Sequence, residues 1–357
     1  MEQTLTYKKM KTDPGIVMPL WFIKYTRYEF WPIWLFYFPV IFYWMYLAIR
    51  SRSVTYFTAA NPGIELGGFC GESKINILNK ITPEYLPVTL FFQKDTSFEN
   101  CLDVLSQHHV LFPVICKPNV GERGNDVEKI ENAGQLKSYL DERSFDFIIQ
   151  EYIDYEVELG ILYFRYPDGS KTGITSIVKK EFLSVTGDDV STISELIAQN
   201  TRGRFQAEKL KLKLGAGINT ILPAGKKMLL EPIGNHCRGT KFLNGNDLIN
   251  TQLVYVFDNI SKNMEGFYFG RFDLRVKSLD DLYNGKNIRI MEVNGTTSEP
   301  AHIYDPNHKL LSAYGAICHN MKLVSIIARQ NHKKGITYTP FREFYRIVKN
   351  HLYPAKK

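Results

Sequence analysis

The sequence predicts an α+β domain preceded by an aromatic, membrane-associated segment. Beyond residue 60, short apolar runs suited to strands alternate with amphipathic stretches suited to helices, and Tyr166-Pro-Asp-Gly169 offers a turn joining two strands antiparallel. Before residue 60, Phe30 to Ile49 gives 20 residues without a formal charge, 10 of them aromatic. That is about the length that crosses the ~30 Å hydrocarbon core as a helix.

Lys24 and Arg27 precede this stretch and Arg50 and Arg52 close it, as interfacial anchors would. It starts too far in for a signal peptide and lacks a small-residue cleavage site. Pro32 and Pro39 interrupt helical hydrogen bonding, and tryptophan favours the membrane interface over its centre. A kinked span, a re-entrant hairpin with Trp21 to Phe30 as its second arm, and an interfacial anchor all fit. The competing reading is a buried aromatic core segment. Asn61-Pro62-Gly63 and Gly67-Gly68 break the chain where this 1–60 segment ends.

The domain proper spans 61–330, and a basic tail covers 331–357. Strands are expected over 88–93, 112–117, 147–151, 159–165, 174–178, 266–276 and 288–292, with helices over 73–80, 132–141, 192–198, 248–264 and 310–329. Asn132 and Thr192 are the expected helix caps. Composition is that of an ordinary globular protein, 44% hydrophobic and 23% charged. The net charge of +7 suits nucleotides, phospholipid head groups or nucleic acid without choosing among them, and with no nucleic-acid motif in the sequence no nucleic-acid partner is expected. The five cysteines are scattered without a CxxC pair, which predicts buried, reduced thiols in a cytoplasmic domain.

Two groups of residues carry chemistry. In the first, the strand ending at Lys117 runs into a loop with Gly121 and Gly124. Glycines let backbone amides approach phosphate oxygens and the lysine adds a point charge. No Gly-Lys-Ser/Thr follows, so it is not a P-loop. The bland alternative is a surface lysine before a hairpin. In the second, Asp273, Glu292 and Asn294 offer hard oxygen ligands that hold Mg²⁺ against phosphate. Glu292 and Asn294 alternate on one strand face, and the Ser278–Lys286 stretch reads as a hairpin that would set Asp273 beside them. Arg271 shares the Asp273 face, where it is either functional or merely a salt-bridge partner.

The order Lys117-Pro…Gly…Gly, Glu151-Tyr-Ile, Arg271-Phe-Asp273 and Met-Glu292-Val-Asn294-Gly resembles the ATP-grasp superfamily, D-alanine–D-alanine ligases in particular, from about Lys74 to Ala328. Lys179 to Ile197, with Gly187-Asp-Asp and Ser191-Thr-Ile-Ser-Glu-Leu-Ile, resembles ligases of the cyanophycin synthetase and glutamate–cysteine ligase kind. The resemblance implies a nucleotide gripped between two α+β subdomains, the smaller at about 112–158. It implies that Lys74, Lys117 and the Gly121–Gly124 loop hold the triphosphate. Gln150, Glu151, Tyr152 and Ile153 would face adenine, and Glu158 would bind the ribose. Asp273, Glu292 and Asn294 would ligate Mg²⁺, and Arg271 would steady the transferred phosphoryl group. Arg123 departs from the pattern where the D-alanine ligases carry serines, the acidic ligands are more widely spaced, and the 73 residues before Lys74 are expected to leave no room for the domain that usually precedes the core.

Weaker candidates remain. Arg238, with His236 and Lys241, lies in a loop where related ligases close over the acyl phosphate, and reads as a contact for a substrate carboxylate or the γ-phosphate, or as part of a solvated loop. Lys180 reads as a triphosphate contact or a solvated edge-strand lysine. The basic run Arg202 to Lys213 reads as a solvated face or a contact with anionic lipid, and His302 and His308 as substrate contacts or packing. The activity implied is an ATP- and Mg²⁺-dependent ligation of a small carboxylate to an amine through an acyl phosphate, on a membrane-associated or cell-envelope substrate. A kinase on the same fold and an inactive nucleotide-binding scaffold are the alternatives. Deletion of residues 1–52 is expected to free a soluble ATP-binding domain.

Overall fold

The computed structural model describes residues 18–121 and 124–353, which fall into two compact units. One comprises the chain up to Trp31 together with Leu183–Leu230, the other Pro32–Phe182 and everything from Glu231 onward. In chain order the helices are α1 (Leu20–Thr26), α2 (Ile33–Ser51), α3 (Lys74–Leu78), α4 (Phe98–Gln107), α5 (Ala133–Asp141), α6 (Ile193–Gln199), α7 (Thr201–Phe205), α8 (Ala207–Leu214), α9 (Thr251–Lys262), α10 (Leu279–Tyr283), α11 (Leu310–Lys333) and α12 (Phe341–Leu352). The strands are β1 (Thr89–Phe92), β2 (Val114–Pro118), β3 (Glu128–Ile130), β4 (Phe147–Glu151), β5 (Val157–Arg165), β6 (Thr172–Glu181), β7 (Ser184–Thr186), β8 (Lys227–Leu229), β9 (Lys241–Asn244), β10 (Phe269–Val276) and β11 (Ile288–Asn294).

Helices beside antiparallel sheets make the α+β class that the sequence predicts. The larger unit holds a five-stranded sheet, β11-β10-β5-β6-β9, and a four-stranded one, β1-β4-β2-β3. β5 is apolar on both faces and is covered on both: Ile161 and Tyr163 pack with Phe257 of α9, Leu162 and Phe164 with Leu323 and Ile327 of α11. The Tyr166–Gly169 turn joins β5 to β6 as expected, with Gly169 at φ +76° and its N–H on the Tyr166 carbonyl. The smaller sheet closes over its own core of Cys116, Leu136, Tyr139 and Phe147.

Caps decide several boundaries. Asn132 and Thr192 cap α5 and α6, and Thr192 forms a reciprocal capping box with Glu195. Asn250 accepts the Leu253 N–H, so α9 starts at Thr251 rather than at 248. The 278–286 connection is not a plain hairpin: Ser278 caps α10, and Asp280 and Asp281 sit in its first turn where the helix dipole favours them. β10 and β11 are nonetheless paired side by side.

α2 is continuous through Pro39 and has two flanks. On the inner one Phe36 stacks on Tyr314 at 5.4 Å, Leu47 and Ala48 join the core with Val324, and Ser51 meets Ser325. On the outer one Trp34, Phe38, Ile41, Phe42, Met45 and Ile49 form an exposed apolar stripe. The buried-core reading thus describes the inner flank, and the outer flank is the surface on which the membrane reading rests. α11 also has the length and composition to cross a membrane, but its inner flank is core.

The chain does not loosen after α2, contrary to the break expected at residues 61–68. Asn61 is fully buried: its amide oxygen accepts the Tyr268 and Phe269 N–H groups, and its NH₂ donates to the carbonyls of Phe269 and Gly67. Gly63 donates its N–H to Gly266, and a Cβ on Gly63 would lie 2.1 Å from the Glu265 carbonyl oxygen. Gly68 meets Gly295 so closely that a Cβ on either would stand 2.5–2.6 Å from the other backbone segment. The glycines serve close packing, not flexibility.

In the smaller unit, β7 pairs β8 over a core of Val185, Ile193, Ile197 and Leu222. Gly187 touches the Pro223 carbonyl too closely for any side chain, and Asp188 accepts the Val190 and Ser191 N–H groups. The Gly187-Asp-Asp segment is therefore a packed turn. Arg202 corrects the reading of its basic run, because it is buried against Glu29 and lies over the Phe30 ring at 5.4 Å. Burial, expected of all five thiols, holds for Cys70, Cys101 and Cys116, whereas Cys237 is exposed and Cys318 half-buried.

Candidate functional site

β10 and β11 set Asp273 opposite Glu292 and Arg271 opposite Asn294, so these four side chains converge on one face. Arg271 is a salt-bridge partner here: its Nε and Nη2 donate to Asp273 Oδ2 at 3.1 and 3.0 Å. Asn294 Nδ2 donates to the same oxygen at 3.2 Å. Lys180 Nζ lies 3.0 Å from Oδ1, yet that buried oxygen accepts no directed hydrogen bond. Burial pushes the Asp273 carboxyl up, but Arg271 and Lys180 outweigh it and hold the group at about 2.

Lys180 is no edge lysine. β6 has β5 on one side and β9 on the other, and the side chain is buried, 3.2 Å from Glu158 Oε1. Arg275, which sequence reasoning missed, donates from Nε to Glu158 Oε2 at 2.8 Å and from Nη1 to the Ile153 carbonyl. Its signal was available, since it continues the alternation Arg271-x-Asp273-x-Arg275. With both oxygens of Glu158 taken by cations, a ribose contact there needs one of them to move.

Lys117 comes from the smaller sheet and is buried, not a surface lysine. Its Nζ donates to Gln150 Oε1 at 3.0 Å and to the Met291 carbonyl at 2.9 Å. Burial lowers its pKa to about 8, Lys74 adds to the lowering, and Glu292 and Asp273 oppose it. Lys74, first residue of α3 behind the Ser73 cap, donates to the Gly121 carbonyl and lies 3.9 Å from Glu292. Arg238 donates to the Gly124 carbonyl at 2.9 Å. Gly124 is at φ +70°, and a Cβ on it would press the Asn235 amide at 2.9 Å. Two cations thus hold the ends of this glycine loop, whose middle, Glu122 and Arg123, lies outside the described residues.

The 150–153 stretch is mixed. Gln150 is occupied by Lys117 and Thr89, and Glu151 accepts the Val88 N–H at 3.1 Å. Tyr152 carries Lys129 over its ring at 4.3 Å and Arg275 at 5.3 Å, and Ile153 is buried. Lys241 stands apart on β9, paired with Glu181 at 3.6 Å. His302 is packing: Nδ1 lies 2.8 Å from Ser176 Oγ, and burial with His308 beside it lowers its pKa to about 4.

Lys74, Lys117, Lys180, Arg271 and Arg275 outnumber the carboxylates they surround, Glu158, Asp273 and Glu292. Such an excess of poorly hydrated positive charge attracts a polyanion. Among the described residues no group of three or more His, Cys, Asp or Glu is placed to hold a metal. The trio here is two carboxylates and an amide. It suits Mg²⁺, which takes one or two carboxylates and completes its shell with water and phosphate oxygens. Among the described residues Asp273 Oδ1 lacks a directed donor, and the ion-pair partner of Glu292 is Lys74 at 3.9 Å.

No protein-family profile and no curated protein matches the chain. Among solved structures, it is similar to a bifunctional glutathione synthetase from Pasteurella multocida at 16% identity, covering 67% of this chain and 35% of that one, with a TM-score of 0.36. A D-Ala:D-Ser ligase from Enterococcus faecalis aligns at 13% identity over 68% and 61% with a TM-score of 0.38, and a D-alanine–D-alanine ligase from Bacillus anthracis at 17% over 76% and 71% with 0.39. The chain spans about a third of the first and three fifths of the second. At these scores the likeness assigns neither family nor activity.

Proposed function

We propose that the chain is a membrane-associated ATP-grasp ligase joining a carboxylate to an amine. The observation that carries this is the buried, cation-rich cluster around the paired carboxylates Asp273 and Glu292. Together with the ordered motifs from Lys117 to Asn294, it suits a triphosphate held against a divalent cation. Bound Mg²⁺ would neutralise phosphate charge, with Asp273, Glu292 and Asn294 as its protein ligands. Lys74 and Lys117 bind phosphate oxygens, Arg271 steadies the γ-phosphoryl group, and Arg238 positions the loop over it. The substrate carboxylate attacks the γ-phosphorus, the bond to the β-phosphate oxygen breaks, and ADP leaves. The amine then attacks the acyl carbon and phosphate departs. No side-chain nucleophile is required.

Full-length protein incubated with Mg·ATP, a panel of amino acids and a lipid extract should release ADP and free phosphate in equal amounts with a new amide. Phosphate retained on the acceptor would make it a kinase. Tight ATP binding without any turnover would make it a scaffold.

The attachment that α2 supports is interfacial, because its inner flank packs on α11, which itself covers the five-stranded sheet at Leu162, Phe164 and Phe269. Burying each large side chain of its outer stripe contributes roughly 1.5–3 kcal/mol. Phe38→Ser/Phe42→Ser/Ile49→Ser should move the protein from the vesicle pellet to the supernatant, while high salt leaves the wild type in the pellet. Salt release of the wild type would instead assign attachment to charges such as Arg342, Arg346 and Lys349. Deleting residues 1–52 would strip Leu47 and Ala48 from the core, so the truncated chain should aggregate rather than give the soluble domain expected from sequence.

A further inference from the structure

Between α2 and α11 lies a chamber of about 500 Å³, inside the ~300–1,000 Å³ range of small-molecule sites. Trp34, Ile41 and Trp44 from α2, Ile317 and Val324 from α11 and Phe269 from β10 line it, and the loop after β11 adds Glu299. Tyr37 donates to one oxygen of Glu299 and Tyr304 to the other at 2.8 Å. Burial, with the carboxylate adding to it, pushes both phenols well up, so both keep their protons and neither supplies a positive charge. Among the described residues Glu299 has no ion-pair partner, although Arg271 is near enough to feel its charge. The loop is tied to the candidate site: Ser298 Oγ accepts the Arg271 N–H at 3.2 Å and donates to the Asn294 carbonyl at 2.7 Å.

We propose that this chamber takes the hydrocarbon chain of a lipid-borne amine whose ammonium group meets Glu299. It rests on the ligase reading for its role, since that amine is then the acceptor. The apolar walls fit a chain and not a second polar substrate, and a half-buried carboxylate without a cation is matched by an ammonium. Trp34 and Ile41 both line the chamber and stand on the exposed stripe of α2, so a chain enters from the flank that meets lipid. In the ligation the ammonium loses one proton to water and its nitrogen bonds the acyl carbon. The carbon–oxygen bond to phosphate breaks, and phosphate leaves with the electron pair and takes up the second proton.

The test titrates full-length protein with n-dodecylamine below its micelle concentration and reads tryptophan fluorescence, since Trp34 and Trp44 line the chamber. A saturable change is expected, with n-butylamine and 1-dodecanol each at least about tenfold weaker. Glu299→Gln, which keeps a partner for both tyrosines, should weaken dodecylamine about tenfold and leave dodecanol unchanged. Ile41→Phe, at an exposed position, should narrow the chamber and weaken both long chains. Phosphatidylethanolamine in phosphatidylcholine vesicles should bind with the same Glu299 dependence. Binding of free dodecylamine alone overturns the lipid source. Equal affinity for dodecylamine and dodecanol, or indifference to both substitutions, overturns the chamber. Mg·ATP binding measured separately by calorimetry keeps the two readings apart: specific amine binding without ATP binding removes the ligase, and ATP binding without it removes the chamber alone.

Discussion

Glu292→Gln should reduce ATP turnover at least about a hundredfold while leaving the melting temperature nearly unchanged. The substitution removes one hard oxygen charge from the proposed Mg²⁺ site and preserves shape. Stability should survive because Glu292 is about a third exposed and its ion-pair partner is Lys74 at 3.9 Å, a weak pairing. Asp273→Asn should abolish turnover as well, but for two reasons at once. It strips the charge that balances buried Lys180 and Arg271, and breaking a buried pair costs about 3–5 kcal/mol. Comparing kcat at saturating and limiting Mg²⁺ with thermal melts separates the effects. Near wild-type kcat in Glu292→Gln at limiting Mg²⁺ would sink the metal assignment.

Lys117→Ala should lower kcat/KM for ATP between about tenfold and a hundredfold, the worth of a charge-assisted contact of roughly 1.5–3 kcal/mol. Its pH dependence gives a second readout. The folded pKa of about 8 lies below the unfolded value near 10.4, so below pH 8 the buried ammonium costs stability. That cost disappears as pH rises from about 8 towards 10.4. Phosphate needs the charged form, so kcat/KM for ATP should fall about tenfold per unit above pH 8. The break in kcat should lie higher, because bound phosphate stabilises the ammonium. An unchanged kcat/KM in Lys117→Ala would remove the lysine from the site.

Much of this was legible because the signals were local. A short apolar run located β5, period-two alternation located β10 and β11, and single polar residues such as Asn132 and Thr192 marked helix starts. α4 was overlooked although Ser97 and the spacing of Phe98, Cys101, Leu102 and Leu105 announce it. The two Lys180 readings were inseparable in sequence, since only the partner strand β9 decides whether β6 is an edge. Glu299 carried no pattern at all. Its meaning depends on Tyr37, a residue from the segment read as an anchor, brought to it by the packing of α2 on α11. Arg202 was misjudged for the same kind of reason, because Glu29 lies far away in the chain.

The paired glycines carry a consequence for inheritance. Gly63 stands against the Glu265–Gly266 backbone and Gly68 against Gly295, and each contact leaves no room for a Cβ. Neither member of a pair can gain a methyl group first, so no single-step route leads away from either contact. The clasp between the segment after α2 and the backbone just before β10 and just after β11 thereby tolerates no added side chain, whatever happens to the stripe on α2. An aromatic segment grafted from another protein would need the same bare glycines to fit against this backbone.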